Sequence, residues 1–176
     1  MRSLNGNAIQ IMSGSMLDAE CAVNGYTYIG YNCCVTKATI GRYCSIANNV
    51  TIGAGEHFLD RFSTSSLFYD DAYQVLTRDP CVIGSDVWIG VDTIIRRGIT
   101  VGDGAVVGAN SFVNADVPPF AVVAGSPARL IRYRFSADVI TAIIESHWWD
   151  LEIDGARASL RKLEERVNSV HLKSVR

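Results

Sequence analysis

The stretch from Ile83 to Val117 contains five blocks of six residues, IGSDVW, IGVDTI, IRRGIT, VGDGAV and VGANSF, and the first five residues of a sixth, VNADV. The first residue of every block is apolar and β-branched: Ile83, Ile89, Ile95, Val101, Val107 and Val113. The fourth is Asp, Gly or Asn, types that tolerate a left-handed backbone. The fifth stands two residues before the next block, so both face the same side of a strand. A period of six is the sequence signature of a parallel β-helix.

The same period starts near the amino terminus and slips once. Apolar first residues stand six apart at Ile11, Leu17, Val23, Ile29 and Val35, then five apart at Ile40, then six apart again at Ile46 and Ile52. The fifth positions are small or β-branched, until Glu56 breaks the rule: Ser15, Cys21, Thr27, Cys33, Thr39, Cys44 and Val50. The sequence therefore predicts an all-β fold over residues 1–130, a parallel β-helix whose coils stack on one another.

The period is absent between about residues 56 and 82, a segment we call the excursion. It reads EHFLDRFSTSSLFYDDAYQVL at its start and mixes aromatic, hydroxyl and charged side chains. Long segments without repeats are usually functional or disordered, and the aromatic residues favour order. We therefore expect an ordered external loop that lies against the coils or against a neighbouring subunit.

Residues 131–176 are predicted to form a separate segment of C-terminal α-helices. Pro118 and Pro119 end the repeat pattern, because proline cannot continue a strand ladder. Ser136 is the expected N-cap of a helix over 137–149, and Asp154 that of a second helix over 155–170. The apolar residues of both segments recur at helical spacing.

Composition and charge narrow the functional classes. The chain has 176 residues, 48% of them hydrophobic and 19% charged, which is typical of a globular protein. Its net charge of −2 gives no indication of a nucleic-acid partner. No apolar run approaches the roughly 20 residues of a membrane span, and MRSLNGNAIQ lacks the apolar centre of a signal peptide. We expect a cytoplasmic protein.

The five cysteines are expected to be reduced and structural. Cys21, Cys33 and Cys44 fall on fifth positions, where small core residues belong. Cys34 and Cys81 show no spacing typical of a metal site, so no metal centre is predicted. A disulfide framework is not expected where the sequence shows no export signal.

His57 is the residue we expect to carry chemistry. It is one of three histidines and stands at the break in the repeat, where a rigid coil can aim a side chain into a cleft. Imidazole titrates near neutral pH and suits a general base. His147 and His171 are interpreted as structural or solvated. Glu56 either orients the imidazole or is a solvated loop carboxylate, and we favour the second interpretation.

Several motifs together resemble one family: IGRYCSIANNVTIGAGEH, DVWIG, GDGAVVGANSFV, AGSPARLIRYRF and a helix ending in WWD. Over residues 26–152 the chain resembles the hexapeptide-repeat acyltransferases, in their xenobiotic acetyltransferase branch. That branch includes streptogramin and type B chloramphenicol acetyltransferases and enzymes that acetylate saccharides. The resemblance implies a left-handed parallel β-helix, acetyl-CoA as cosubstrate, His57 as the base, and a homotrimer with active sites between subunits.

The resemblance also implies which residues contact acetyl-CoA. Trp88 matches the Trp of the DVWIG motif, near the reacting thioester, and is otherwise an exposed aromatic residue at a subunit contact. Val91 stands where a related galactoside acetyltransferase has a CoA-contacting Ser, so only its backbone can serve. Ala109 matches a small residue whose backbone meets the pantetheine arm.

Four further residues are implied at the phosphate end of the cofactor. Asn114 and Ala115 stand where that relative has Thr-Lys, which leaves one cation fewer for the phosphates. Arg129 and Arg132 match the two arginines of the closing segment, and guanidinium groups suit phosphate oxygens. The alternative for both arginines is solvated charge at the end of the coils.

The acceptor is expected to face the excursion, at Arg61, Ser63, Thr64 and Tyr69. Hydroxyl groups and one arginine fit a sugar better than a large apolar drug. The sequence therefore predicts an acetyl-CoA-dependent acetyltransferase acting on a saccharide hydroxyl. N-acetylation of a nucleotide-linked amino sugar and acetylation of an antibiotic are the alternatives within this class.

Two other classes fit the sequence less well. A β-helix carbonic anhydrase needs about three protein ligands for its zinc, and here His57 alone is suitably placed. A non-enzymatic or ice-binding solenoid predicts a regular face without an excursion. The interrupted repeat therefore favours an enzyme that transfers an acyl group directly, without a covalent nucleophile.

Overall fold

The computed structural model describes residues 8–174, and it describes their side chains as far as residue 167. The chain divides into two compact units, Met1–Arg132 and Tyr133–Arg176. The first unit contains the repeats and the excursion, and the second unit is helical.

The strands are mostly two residues long, and each follows the last after a short corner. In chain order they are β1 Gln10–Ile11, β2 Met16–Leu17, β3 Ala22–Val23, β4 Tyr28–Ile29, β5 Cys34–Val35, β6 Ala38–Ile40, β7 Ser45–Ile46, β8 Thr51–Ala54, β9 Cys81–Ile83, β10 Trp88–Ile89, β11 Ile94–Arg96, β12 Thr100–Val101, β13 Val106–Val107, β14 Phe112–Val113, β15 Ala121–Ala124 and β16 Arg129–Tyr133.

Hydrogen bonds join each strand from β1 to β11 to the strand three places further along the chain, and β13 pairs with β15. The first sheet has the order β1-β4-β7-β10-β13-β15-β16, the second β14-β11-β8-β5-β2 and the third β12-β9-β6-β3. From β1 to β15 the strands pair in parallel, and Trp88 of β10 lies opposite Ser45 and Val106. The chain therefore winds as a three-sided parallel β-helix, and the prediction from the hexapeptide period is confirmed.

The core is a column of first and fifth block positions. The first positions from Ile29 onward are at most 1% exposed: Ile29, Val35, Ile40, Ile46, Ile52, Ile83, Ile89, Ile95, Val101, Val107 and Val113. Cys33 and Cys44 are buried as predicted, whereas Cys21 is half-buried. The buried hydroxyl of Thr27 donates to Gly41 O at 2.9 Å, so this polar fifth position carries no unpaired donor.

The prediction that Thr39 faces the core is wrong. In β6 the inward residue is Ala38, which is 1% exposed, and Thr39 faces solvent. The block that begins at Val35 lacks one residue in its corner. Lys37 therefore makes the left-handed turn, with φ of 43°, one position earlier than in the other blocks.

The corners use the fourth block position, as the sequence pattern predicts. Positive φ angles occur at Asn32, Asn49, Asp86, Asp92, Gly98, Gly104 and Asn110. Tyr26 and Tyr43 take the same position, with φ of 62° and 60°. Their rings stack at 4.6 Å between centroids, and the Arg42 guanidinium lies over both, which stabilises two bulky residues in a costly conformation.

A β-bulge marks the point where the chain leaves the coils. Ile52 of β8 lies opposite Ile95, but Ala54 lies opposite Arg96, so Gly53 is an extra residue in the ladder. Gly53 has φ of 74°, and a Cβ there would overlap the carbonyl oxygen of Thr36. Bulges bend a strand and redirect it. Because β8 ends at Ala54 and β9 begins at Cys81, the excursion occupies residues 55–80 in the structure, against the 56–82 taken from the sequence. It contains a short 3-10 helix at Ser66–Phe68 and helix α1 at Ala72–Leu76.

The second unit contains helix α2 at Ala137–Ser146, a 3-10 turn at Trp148–Asp150 and helix α3 at Ile153–Ser174. Ser136 occupies the N-cap position of α2 without a capping hydrogen bond from its side chain. Helix α2 ends before residue 149 because His147 is left-handed, with φ of 46°. Helix α3 begins at Ile153, so Asp154 lies in its first turn and not at its cap. No helix among residues 8–174 combines the length and the apolar character needed to cross a membrane.

Replacing Gly53 by Ala tests whether the bulge requires glycine. We expect Gly53→Ala to lower the free energy of unfolding by about 2 kcal/mol or more, because the added methyl group meets a backbone oxygen in a left-handed conformation. Urea denaturation followed by circular dichroism measures the change. Gly155→Ala is the control, since its Cβ would meet only ordinary contacts in a helix. Equal stability of Gly53→Ala and the wild type would contradict the assignment.

Candidate active site

His57 is held by a backbone carbonyl. It lies three residues after β8 and is exposed, and its Nδ1 donates a hydrogen bond to the carbonyl oxygen of Thr64 at 2.5 Å. A carbonyl oxygen can only accept a hydrogen bond, so Nδ1 carries the proton in the neutral imidazole. Nε2 is then the basic nitrogen. This is the tautomer and orientation that a general base needs.

The excursion contains a small aromatic cluster next to His57. Tyr69 is 8% exposed, its hydroxyl accepts from Phe58 N at 3.1 Å, and its ring meets Phe58 edge-on at 5.7 Å between centroids. The His57 ring is 6.3 Å from the Tyr69 ring. The Arg61 guanidinium lies over the Phe58 and Tyr69 rings at 5.1 and 4.9 Å. Tyr69 and Arg61, both predicted to bind the acceptor, therefore support the excursion.

The hydroxyl residues of the excursion are only partly available to a ligand. Ser63 Oγ accepts a hydrogen bond from Ser65 N at 3.2 Å and is half-buried. Thr64 is exposed and holds His57 through its carbonyl. The surface around them is more apolar than the sequence interpretation assumed. The excursion exposes four large apolar side chains, Leu59, Phe62, Leu67 and Phe68, besides charged residues such as Asp60 and Arg61.

The Glu56 carboxylate is engaged by two arginines, so the interpretation favoured from the sequence, a solvated loop carboxylate, is wrong. Its two carboxylate oxygens accept from Arg96 Nε and a terminal nitrogen at 2.6 and 2.7 Å, and Arg97 Nε lies 3.4 Å away. Hydrogen bonds from Arg96 hold the pKa of the Glu56 carboxyl below its ordinary value. The hydrogen bond to the His57 imidazole comes from the backbone of Thr64, whose carbonyl oxygen accepts from Nδ1.

The residues expected near the thioester lie on and beside the first sheet. Trp88 in β10 points outward and is 57% exposed. Val91 and Ala109 stand at the exposed corners after β10 and β13. Asn110 N donates to Val91 O at 2.9 Å, which ties these two corners together. The small side chains leave the backbone of these corners accessible.

The residues expected near the phosphates are also exposed. Asn114 and Ala115 follow β14 in the second sheet. Arg129 and Arg132 lie in β16, which is exposed along its whole length. A terminal nitrogen of Arg129 donates to Ala128 O at 2.8 Å.

One chain does not bring the base and the thioester residues to the same side of the coil. His57 leaves at the corner between the second and third sheets, after β8. Trp88 belongs to the first sheet, and Val91 and Ala109 to the corners between the first and second sheets. The elements that carry these residues therefore belong to different sides of the coil.

Other chemistry-bearing groups offer no alternative centre in the described part of the chain. Burial raises the pKa of the Cys44 thiol to about 12, so it carries no thiolate at neutral pH. Among residues 8–174, no group of three His, Cys, Asp or Glu side chains is placed to hold a metal ion. A cavity of about 240 Å³ contains none of the predicted site residues and is lined by Glu20, Lys37, Ala38, Thr39, Arg78 and Pro80.

Comparison with known proteins identifies the family. Residues 80–115 match the family described as bacterial transferase hexapeptide (six repeats). The chloramphenicol acetyltransferase of Agrobacterium fabrum is 38% identical over 135 residues, which cover 70% of this chain and 65% of that enzyme. A probable macrolide acetyltransferase of Lysinibacillus sphaericus is 32% identical over 158 residues, 78% of this chain and 85% of that protein. The chain belongs to the hexapeptide-repeat acyltransferases.

Within this family the chain falls in the xenobiotic acetyltransferase branch, as the motifs predicted. A hexapeptide-repeat acetyltransferase of Vibrio cholerae, solved in complex with acetyl coenzyme A, is 32% identical with a TM-score of 0.59. The match covers 69% of this chain and 64% of that chain. This hexapeptide-repeat chain thus spans about two thirds of the length of the Agrobacterium enzyme, 65% by alignment.

Sequence reasoning missed three residues at the base of the excursion of this acyltransferase: Asp79, Arg96 and Arg97. Arg96 and Arg97 stand in the block IRRGIT, where the other blocks quoted above have no pair of cations. That pair was the available signal. The pair of cations alone does not indicate which residues it binds, because Glu56, the partner of Arg96, lies forty residues away in the chain.

Replacing Tyr69 by Phe tests whether the Tyr69 hydroxyl stabilises the backbone next to His57. We expect Tyr69→Phe to leave the N–H of the half-buried Phe58 without its acceptor. The free energy of unfolding should fall by about 1–3 kcal/mol, and the start of the excursion should open more often. Hydrogen exchange at the Phe58 amide should become at least about tenfold faster. Tyr31→Phe, at an exposed ring on a corner, is the control. An unchanged Phe58 exchange rate would rule out this support.

Proposed function

We propose that this protein is an acetyl-CoA-dependent O-acetyltransferase whose acceptor is a saccharide hydroxyl. The observation that carries the proposal is the Thr64 carbonyl, which fixes His57 with Nε2 as the free base at the point where the repeat breaks. Membership of the acyltransferase family and the acetyl coenzyme A held by the Vibrio cholerae relative support the reaction type.

In this mechanism the acceptor hydroxyl attacks the thioester carbonyl while His57 Nε2 takes the hydroxyl proton. A C–O bond forms, the C–S bond breaks, and the imidazolium returns the proton to the departing thiolate. The Nδ1–H bond to Thr64 keeps the ring in place during both proton transfers. Backbone amides of the coils stabilise the negative charge on the carbonyl oxygen.

The exposed groups on the first sheet fit acetyl-CoA. Trp88 offers an apolar surface at the thioester, and the small residues Val91 and Ala109 allow close approach to the backbone. Arg129 and Arg132 supply exposed cations that suit phosphate oxygens, and Asn114 and Ala115 are exposed after β14. From the family we also infer a left-handed coil and a homotrimer. In that assembly, His57 of one subunit faces the acetyl-CoA surface of the next.

A second acceptor class has its own support. The excursion exposes Leu59, Phe62, Leu67 and Phe68, which suit an apolar antibiotic better than a sugar. The relatives named above include an enzyme described as a chloramphenicol acetyltransferase. The saccharide proposal rests on Ser63 and Thr64, and N-acetylation of a nucleotide-linked amino sugar uses the same geometry. An acceptor panel separates these possibilities.

Replacing His57 by Ala tests the base. We expect turnover to fall by about 10²–10⁴-fold, because no other group takes the acceptor proton. Release of free thiol from acetyl-CoA measures turnover, calorimetry measures CoA affinity, and sedimentation measures assembly. CoA affinity and assembly should stay unchanged.

His147→Asn is the matched control, since it removes an exposed imidazole from the other unit and keeps a residue that accepts a left-handed backbone. It should retain full turnover. Retained turnover in His57→Ala would remove the basis of the proposed mechanism.

The acceptor is tested by thiol release with a panel of saccharides, nucleotide-linked amino sugars and chloramphenicol-type antibiotics. We expect saccharide hydroxyl acceptors to raise thiol release above the rate without acceptor, and His57→Ala to abolish the increase. Acetylation of an antibiotic or of an amino sugar, with saccharides inactive, would replace the saccharide assignment and leave the acetyltransferase assignment in place.

A further inference from the structure

Both ends of the excursion bind the same two arginines. Glu56 stands at its start, next to His57, and Asp79 stands at its end, just before β9. Arg96 donates to both carboxylate oxygens of Glu56 at 2.6 and 2.7 Å, and Arg97 donates to Asp79 Oδ2 at 2.5 Å. We call these four residues, Glu56, Asp79, Arg96 and Arg97, the stem clamp.

The stem clamp is one connected network of charges. The Arg97 side chain is 8% exposed, and its Nε, which has no hydrogen-bond partner among the described residues, faces Glu56 Oε2 at 3.4 Å. Arg97 therefore lies between the two carboxylates and holds both ends of the excursion. A bidentate arginine–carboxylate pair such as Arg96–Glu56 fixes orientation as well as distance. Partial burial of the network reduces its screening by salt.

The two halves of the clamp differ in backbone pairing: the arginines lie in and directly after β11, and the carboxylates lie outside the strands. Arg96 is the last residue of β11, and the ladder places it opposite Ala54, directly after the bulge. Glu56 follows two residues later, outside the ladder. Arg96 and Arg97 thus lie in and directly after a strand that pairs with strands on both sides. Their partners Glu56 and Asp79 lie in the excursion, outside the ladder.

We propose that the stem clamp positions His57 for proton transfer, with Arg96 and Arg97 as positioning residues that act through Glu56. This inference rests on the proposed role of His57 as the base. Glu56 is adjacent to His57 in the chain, so a shift of its carboxylate moves the backbone that carries the imidazole. The clamp and the Thr64 carbonyl then define the ring from two sides: one fixes its backbone and the other its tautomer.

A second set of contacts anchors the far part of the excursion and serves as a comparison. Tyr73 Oη donates to Asp18 Oδ2 at 2.6 Å, and Lys37 Nζ donates to Gln74 Oε1 at 2.5 Å. These contacts hold helix α1 against the preceding coils. They lie far along the chain from His57, so their loss should affect the imidazole less than loss of the clamp.

The test replaces Glu56 by Gln, which keeps the shape and removes the charge. We expect kcat to fall by about 10–100-fold, as for a misplacement of about 1 Å, with KM for acetyl-CoA within about twofold of wild type. Asp154→Asn is the matched control, since it removes the exposed Arg157–Asp154 pair from helix α3 and should leave kcat unchanged. Activity is measured well below the melting temperature of each variant, so that lost stability alone does not lower kcat.

Arg96→Lys provides a second route, because its half-exposed site keeps a positive charge and the variant should fold. It loses the paired geometry, and we expect an intermediate fall in kcat. Glu56→Gln and Arg96→Lys act on one interaction, so the double variant should be no slower than Glu56→Gln alone within about twofold.

The outcomes separate the clamp from the base. Wild-type kcat in both Glu56→Gln and Arg96→Lys, with His57→Ala inactive, would overturn the positioning role and leave the proposed function intact. Full turnover in His57→Ala would overturn the proposed function itself. A lower melting temperature with unchanged kcat would assign the clamp a structural role only.

Discussion

Parallel pairing between successive coils is the interaction on which the structure depends. Most strands have two residues, so none could persist alone, and each gains its hydrogen bonds and its buried first position from the coil below and above. Any residue placed on a rung is therefore fixed by both neighbours. The predicted base, His57, stands where such a rung is interrupted, on a segment that leaves a rigid support.

The period of six in the sequence reflects this pairing directly, which explains why a parallel β-helix could be predicted. Every rung obeys the same steric rule, and a repeated rule is visible in one sequence. Local departures were less visible. A block of five residues does not reveal which position is missing, and the structure, by turning at Lys37, makes Ala38 and not Thr39 the inward residue. The bulge at Gly53 could not be predicted either, since glycine also occurs at ordinary positions of many blocks.

For the candidate site, the sequence locates the base but not its supports. His57 stands at the break in the period, and that break is a property of the chain alone. The Thr64 carbonyl has no sequence signal, because every residue has a carbonyl group. Partners such as Glu56 and Arg96 are set by which rung stacks on which, so their pairing appears only once the coils are assembled. The sequence shows that charged residues stand near the corners, but it does not show which of them form ion pairs.

The geometry of a single chain then constrains the assembly. The base leaves at the corner between the second and third sheets, and the groups that fit acetyl-CoA lie on and beside the first sheet. A rigid coil cannot bend to close that gap, since bending breaks the ladders that hold it together. In the proposed homotrimer, each copy would present its excursion to the first sheet of a neighbour, which closes the gap without bending a coil. The exposed apolar residues of the excursion, Leu59, Phe62, Leu67 and Phe68, would then gain a surface to cover them. The stiffness of the coil, which makes it a precise support for His57, is therefore also the reason for proposing an assembly of several copies.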